Sequence, residues 1–185
     1  PTVPDRWRER AGPGSGLWLD LGPHLVDQAV QLFGLPDAVQ ADIAIQRTGA
    51  QVDDYFHVVL RYPRLRVVLH AGALVPGAGL RFAVHGTGGS WCKHGLDPQE
   101  AALRAGGVPG MEGWGVDPSP GQLLRVDADG TLHDATSPTL AGDYRAFYAG
   151  IRDAIRDGAP PPVTLDEALD VMRVLQAGID SAANG

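Results

Sequence analysis

Asp20, His24, Asp27 and Gln31 follow one another at spacings of four, three and four in the segment GLWLDLGPHLVDQAVQLFG, residues 16–34. On a helix that spacing gathers them into one polar stripe on an otherwise apolar rod. A carboxylate one turn from an imidazole can fix its tautomer and favour its cation, which is how a general base is assembled from a histidine. The same stripe also suits a plain solvated face, and both readings stand on pattern alone. A face meant only for solvent would more usually carry Lys, Arg and Glu, whereas here the histidine is flanked by Gly22 and Pro23. Gly22 reads as a place where another surface or a ligand comes close.

The stripe needs a helix beneath it. Leu17, Leu21, Leu25, Ala29, Leu32 and Phe33 recur at helical spacing, and Gly34 followed by Pro36 supplies the stop. Pro23 has no N–H, so the helix either starts near Gly22 or runs from about Gly16 with a local kink. Ahead of it, residues 1–16 are expected to be a flexible approach ending in AGPGSG.

From Asp37 the period changes to two, with Val39, Ala41, Ile43 and Ile45 forming one side of a half-buried strand. YFHVVLRY, a Pro63-Arg64 turn and LRVVLHAGAL read as a hairpin, apolar on both faces at Val58-Val59 and Val67-Val68. LRFAVHG and SWCK read as a second strand pair joined by the GTGG turn at residues 86–89. QLLRVDADGTLHDA is a third hairpin, with Asp129-Gly130 as its turn signal. Strands this close together, with no helices between them, imply an antiparallel α+β arrangement and not βαβ units. Residues 95–121 form a long Gly- and Pro-rich loop with a helical turn around Gln99–Arg104. Two helices close the chain: one carries Tyr144, Phe147, Tyr148, Ile151 and Ile155 on a single face, and the other opens with a Thr164-x-x-Glu167 capping box.

The composition excludes several function classes. The chain has 185 residues, enough for one domain with a substantial core, and a formal net charge of -7. Its 15 Lys and Arg are scattered, so the basic stripe of a nucleic-acid binder is missing. No apolar run approaches the ~18 residues of a membrane span. Cys92 is the only cysteine, which fits a reducing compartment, and we expect a cytoplasmic protein. His57, His70 and His85 lie on strands without metal-ligand spacing, so no metal site is expected. The chain begins at Pro1 and not at Met, which leaves a processed or excised fragment open.

GSGLWLDLGPHLVDQAVQLFG resembles the G-G-x-x-x-D-x-G-x-H-x-x-D segment that opens the C-terminal domain of the Gfo/Idh/MocA family, NAD(P)-dependent oxidoreductases of the glucose-fructose oxidoreductase and inositol dehydrogenase type. DDYFHVVLRY, FAVHGTGGSWCKHGLDPQE and the closing DYRAFYAGIRDAIRDGAPPPVTLDEALDVMRVLQAGIDSA are similar to later parts of that domain, so the resemblance spans nearly the whole chain. It implies an open, mostly antiparallel sheet of about six strands with helices on one face, the dihydrodipicolinate-reductase-like C-terminal domain. The family's Asp and His fall on Asp20 and His24. By that likeness His24 removes the hydroxyl proton of a sugar, cyclitol or related polyol, and Asp20 orients its imidazole. The resemblance places substrate contacts near Trp7 and Arg8, with Lys93 and Asp97 as further candidates beside the long loop.

A full member of the family begins with a Rossmann domain, whose G-x-G-x-x-G turn and E-K-P lysine this chain lacks. The GTGG turn joins two strands and is no substitute. The resemblance therefore implies a catalytic half, 1–185, inactive alone, whose NAD or NADP is bound mainly by a missing N-terminal domain. It further implies a homo-oligomer formed through the sheet face. Two other classes stay open: a non-catalytic oligomerisation or binding module, and a metal-dependent sugar isomerase or hydrolase using Asp20 and His24 as ligands.

Overall fold

The helical spacing from Leu17 onward closes into a single uninterrupted helix, α1 (Leu17–Phe33), in a computed structural model that describes residues 2–77 and 79–185. The elements that follow are β1 (Ala38–Ala44), β2 (Tyr55–Arg61), β3 (Arg66–Gly72), β4 (Leu80–Gly86), β5 (Gly89–His94), α2 (Gln99–Arg104), β6 (Gly121–Val126), β7 (Leu132–Ser137), α3 (Arg145–Asp157) and α4 (Leu165–Asn184). They fall into two units, one of Pro1–Pro76 with Val163–Gly185 and one of Gly77–Pro162.

In the first unit β1, β2 and β3 form an antiparallel sheet in that order, and α1 and α4 pack on one face of it. Alternation decides which face: Phe56, Val58 and Leu60 of β2 are fully buried beneath the helices, while His57 and Arg61 point the other way. Val26 and Ala29 of α1, Leu69 of β3, and Val174 and Leu175 of α4 complete the core. The capping box of α4 is formed as its sequence predicts, with Thr164 Oγ1 accepting from the Glu167 N–H and Glu167 Oε2 accepting from the Thr164 N–H at 2.7 Å.

Pro23 sits inside α1 without ending it. It removes the donor that would meet the Leu19 carbonyl, and Trp18, only 1% exposed, fastens that part of the helix to the core. The Trp18 ring meets Phe56 edge-on at 5.0 Å, and its indole N–H donates to the Leu175 carbonyl at 3.2 Å. Gly22 is explained by the same ring. A Cβ at Gly22 would lie 2.7 Å from it, and a Cβ at Gly178 of α4 would lie 2.8 Å from its other edge. The glycine expected to admit a ligand or a foreign surface admits the tryptophan one turn before it.

In the second unit β4, β5, β6 and β7 form an antiparallel sheet in sequence order. The long loop is organised around the buried Gln99, whose Oε1 accepts from Trp114 Nε1 and from the Tyr144 N–H, each at 2.8 Å. The α+β class and antiparallel pairing are as expected, but the seven strands among the described residues lie in two sheets where one open sheet of about six was expected. The break follows β3, where Pro76 and Gly77 stand. Pro76 has no N–H for a ladder, and Gly77 takes a left-handed φ of 79°. Among the described residues no helix is long and apolar enough to cross a membrane.

Candidate functional site

The first turn of α1 has no capping side chain of its own. Gly16 occupies the cap with φ 96°, and the Ser15 hydroxyl turns back to the Gly12 carbonyl. Its donors are met from far along the chain: the Asp53 carbonyl accepts from the Leu17 N–H at 2.9 Å, and Asp53 Oδ2 accepts from the Trp18 N–H at 2.7 Å. A Cβ at Gly16 would lie 2.0 Å from Asp53 Oδ1, so this close approach needs a glycine. Burial pushes the Asp53 carboxyl up, against the pull of the Trp18 N–H.

Asp54, beside it, is 2% exposed. Its Oδ1 accepts from the Gln46 N–H at 2.7 Å, and its Oδ2 accepts from the N–H and Nε of Arg47 at 3.0 and 2.7 Å. Burial alone would raise this carboxyl, but the Arg47 guanidinium and the two backbone N–H groups hold it below its ordinary value. Its stabilising contribution is therefore present above the unfolded-state value of ~3.9 and is lost as pH falls through the lower folded value. Asp53 acts in the opposite sense: its raised value favours the protonated folded state, so its contribution grows as pH falls. In urea unfolding between about pH 4 and pH 2, the wild type is expected to lose stability more steeply than Asp54→Asn. Equal slopes would remove Asp54 from the acid response.

The approach to α1, expected to be flexible, carries several contacts over residues 5–16. A 3-10 turn at Trp7–Glu9 is fixed by the Gly16 N–H donating to the Arg8 carbonyl at 3.0 Å, by Arg47 Nη2 donating to Glu9 Oε2 at 2.7 Å, and by Arg10 bonding Asp5. Arg8 lies over the Trp7 ring at 5.4 Å and donates from Nη1 to Asp20 Oδ2 at 3.1 Å. Beside this turn lies a cleft of about 400 Å³, with Arg6, Arg8, Glu9, Asp20, Arg47 and Asp53 among its walls.

His24 is exposed one turn beyond Asp20. Among the described residues its imidazole makes no hydrogen bond, and Oδ1 of Asp20 is likewise without a partner; the carboxylate is gripped from the Arg8 side. The structure thus brings Arg8 to Asp20, with Trp7, 64% exposed, stacked behind Arg8. Lys93 and Asp97 belong to the Gly77–Pro162 unit and are engaged within it. Lys93 is buried and donates from Nζ to Asp117 Oδ2 at 2.6 Å, which holds the Asp117 carboxyl down, while Asp97 accepts from the Gln99 N–H at 2.8 Å. In the turn at residues 86–89, a Cβ at Gly89 would lie 2.1 Å from the Leu124 carbonyl oxygen, so that glycine serves strand packing and not a phosphate. Among the described residues no three His, Cys, Asp or Glu side chains are placed to hold a metal ion.

Glu9, Arg47, Asp53 and Asp54 carry no local sequence pattern that marks them. Two signals pointed their way: a helix start at Gly16 without a capping side chain, and an Asp53-Asp54 doublet directly ahead of a strand.

The sequence pattern described as "Oxidoreductase family, C-terminal alpha/beta domain", that of the Gfo/Idh/MocA group, matches residues 1–185. The chain is 48% identical over 182 residues to the uncharacterized oxidoreductase YdgJ of Escherichia coli K12, covering 98% of this chain and 52% of YdgJ. It is 40% identical over 184 residues to the scyllo-inositol 2-dehydrogenase (NADP(+)) IolW of Bacillus subtilis 168, covering 98% of this chain and 51% of IolW. Among solved structures, the YvaA protein of Bacillus subtilis superposes with a TM-score of 0.91 at 38% identity, over 99% of this chain and 52% of YvaA. The chain spans about half the length of the curated relatives it matches.

Proposed function

The chain belongs to the Gfo/Idh/MocA oxidoreductase family, matching its C-terminal α/β domain from end to end, and from that premise we propose that it is the substrate-binding and catalytic domain of an NAD(P)-dependent oxidoreductase acting on a sugar, cyclitol or related polyol. The observation that supports the reading is the placement of Asp20 in the wall of the cleft with the exposed His24 one turn on, on a helix whose inner face Trp18 locks to the core.

His24, exposed and unbonded, accepts the proton of a substrate hydroxyl; a nicotinamide held by the N-terminal half would take the hydride from the same carbon, which leaves a carbonyl. The Asp20 carboxylate lies one helical turn from the imidazole, and its Oδ1 is available to receive a ring N–H. Arg8 offers a guanidinium at the cleft to a hydroxyl-rich ring, and the exposed Trp7 lies behind it as a further candidate contact. Lys93 and Asp97 enter the proposal only as the residues that hold the loop of the second unit. The Gly86–Gly89 turn does not suit a dinucleotide, since it joins β4 directly to β5 with no helix N-terminus after it, and its Gly89 packs against the Leu124 carbonyl of β6. We therefore assign NAD or NADP mainly to an N-terminal Rossmann half. With a single half-buried free thiol, Cys92, the reading places the protein in the cytoplasm.

The test is nicotinamide reduction by the chain joined to its N-terminal half, on a panel of cyclitols and aldoses that includes scyllo-inositol. Turnover on that panel, with none from the 185-residue chain alone, is expected. Activity of the isolated chain would overturn the placement of the cofactor, and failure on every polyol would overturn the substrate class.

The reading also includes self-association through the outer face of β1, β2 and β3, where Val59 and the exposed Val68 stand beside His57 and His70. Light scattering at micromolar concentration is expected to give a mass above that of one chain. A single-chain mass there would remove this part of the proposal.

A further inference from the structure

Glu9, Arg47 and Asp54 take no part in the chemistry proposed above, yet Arg47–Asp54 is the most deeply buried ion pair among the described residues and Arg47 extends it to Glu9. The side chains of Arg47 and Asp54 are 6% and 2% exposed, and that of Glu9 is 18%. Asp54 is a rigid post: both carboxylate oxygens accept backbone N–H groups, its own N–H donates to the Ala44 carbonyl, and its carbonyl accepts from the Ala73 N–H. Arg47 spans from that post to Glu9, with Nε on Asp54 and Nη2 on Glu9. A bolt serving only the segment ahead of β2 is complete once Asp54 has bonded Gln46 and Arg47. The reach onward to Glu9 adds nothing to that segment and fixes only the Trp7–Glu9 turn.

That turn delivers Arg8. Its carbonyl is held by the Gly16 N–H on one side and its neighbour Glu9 is held by Arg47 on the other, so the side chain that lands on Asp20 Oδ2 springs from a backbone fixed twice. We propose that Arg47, seated on Asp54 and acting through Glu9 and Arg8, is a positioning residue for Asp20 and, through it, His24, fixing which oxygen of Asp20 is taken by Arg8 and which is left free. The inference rests on the proposed roles of Asp20 and His24.

Glu9 is the residue to change, because its loss leaves Arg47 paired with Asp54 and the core intact. In the enzyme joined to its cofactor half, assayed with the panel substrate it turns over best, Glu9→Ala is expected to lower kcat about 10-fold with KM unchanged. Glu9→Gln still accepts from Arg47 Nη2 and should recover most of that loss. In an Asp20→Asn background Glu9→Ala should have no further effect, since both act on one group. Amide hydrogen exchange at residues 7–10 supplies a readout without substrate, and faster exchange in Glu9→Ala is expected. The positioning role is overturned by an unchanged kcat, by the same loss with Asp20→Asn present, or by unchanged exchange. His24→Asn separates the two levels: if it is inactive while Glu9→Ala is normal, only the positioning role fails, and if it is fully active, the underlying reading fails too.

Discussion

His24→Asn in the rejoined enzyme lowers kcat by about 10²–10⁴-fold, the span that a single general acid or base contributes, and leaves the unfolding midpoint of the domain where it was. The two halves of this expectation have different origins. The side chain is exposed and has no hydrogen-bond partner among the described residues, so its removal opens no cavity and orphans no buried group. His and Asn also have similar helix propensities, so α1 itself is not weakened. The kinetic loss comes from the proton that no longer has an acceptor when the substrate hydroxyl must release it. Because that transfer belongs to the transition state, kcat and kcat/KM should fall together. A fall in kcat/KM alone, with kcat retained, would make His24 a binding residue. Retention of both would return the Asp20–His24 stripe to a solvated face, and the non-catalytic assembly module would then fit the chain better.

What the sequence discloses here is what depends on neighbours close in the chain. The helix from Leu17 to Phe33, the box of Thr164 and Glu167 and the turn at Gly130, with φ 86°, are all set by residues within a few positions of one another. Asp20 and His24 are legible for the same reason, being one helical turn apart. The partner of Asp20 is not, because Arg8 is 12 residues away across a Gly-rich stretch that reads as flexible. Arg47 and Glu9 are 38 residues apart, and Asp53 caps a helix 35 residues before it; no periodicity encodes either pairing. Gly22 shows a subtler limit. Its need for a missing side chain is visible in the sequence, but which group fills the gap depends on the Trp18 rotamer and on Gly178, placed opposite by the return of α4.

Trp18→Ala is expected to cost about 3–5 kcal/mol of unfolding free energy, toward the upper end of that range. A tryptophan buries roughly 150–250 Å² of surface, and this one retains only 1% exposure, between Phe56, Gly22 and Gly178. The two glycines make the loss worse than usual, since neither has a side chain that can move into the space the ring leaves. The Leu175 carbonyl also loses the indole N–H, but it lies inside α4 and keeps its helical donor four residues on, so this loss adds little beside that of the ring. Trp18→Phe separates these contributions by keeping an aromatic ring while removing the donor. Urea unfolding followed by far-UV circular dichroism should therefore rank the wild type above Trp18→Phe and Trp18→Ala last. The consequence reaches the site, because Trp18 holds the inner face of the turn whose outer face carries Asp20 and, one turn on, His24. A loss below about 1 kcal/mol for Trp18→Ala, small against the usual range for such truncations, would mean that the Asp53 cap alone seats this end of α1, and stability would then respond to Asp53→Ala instead.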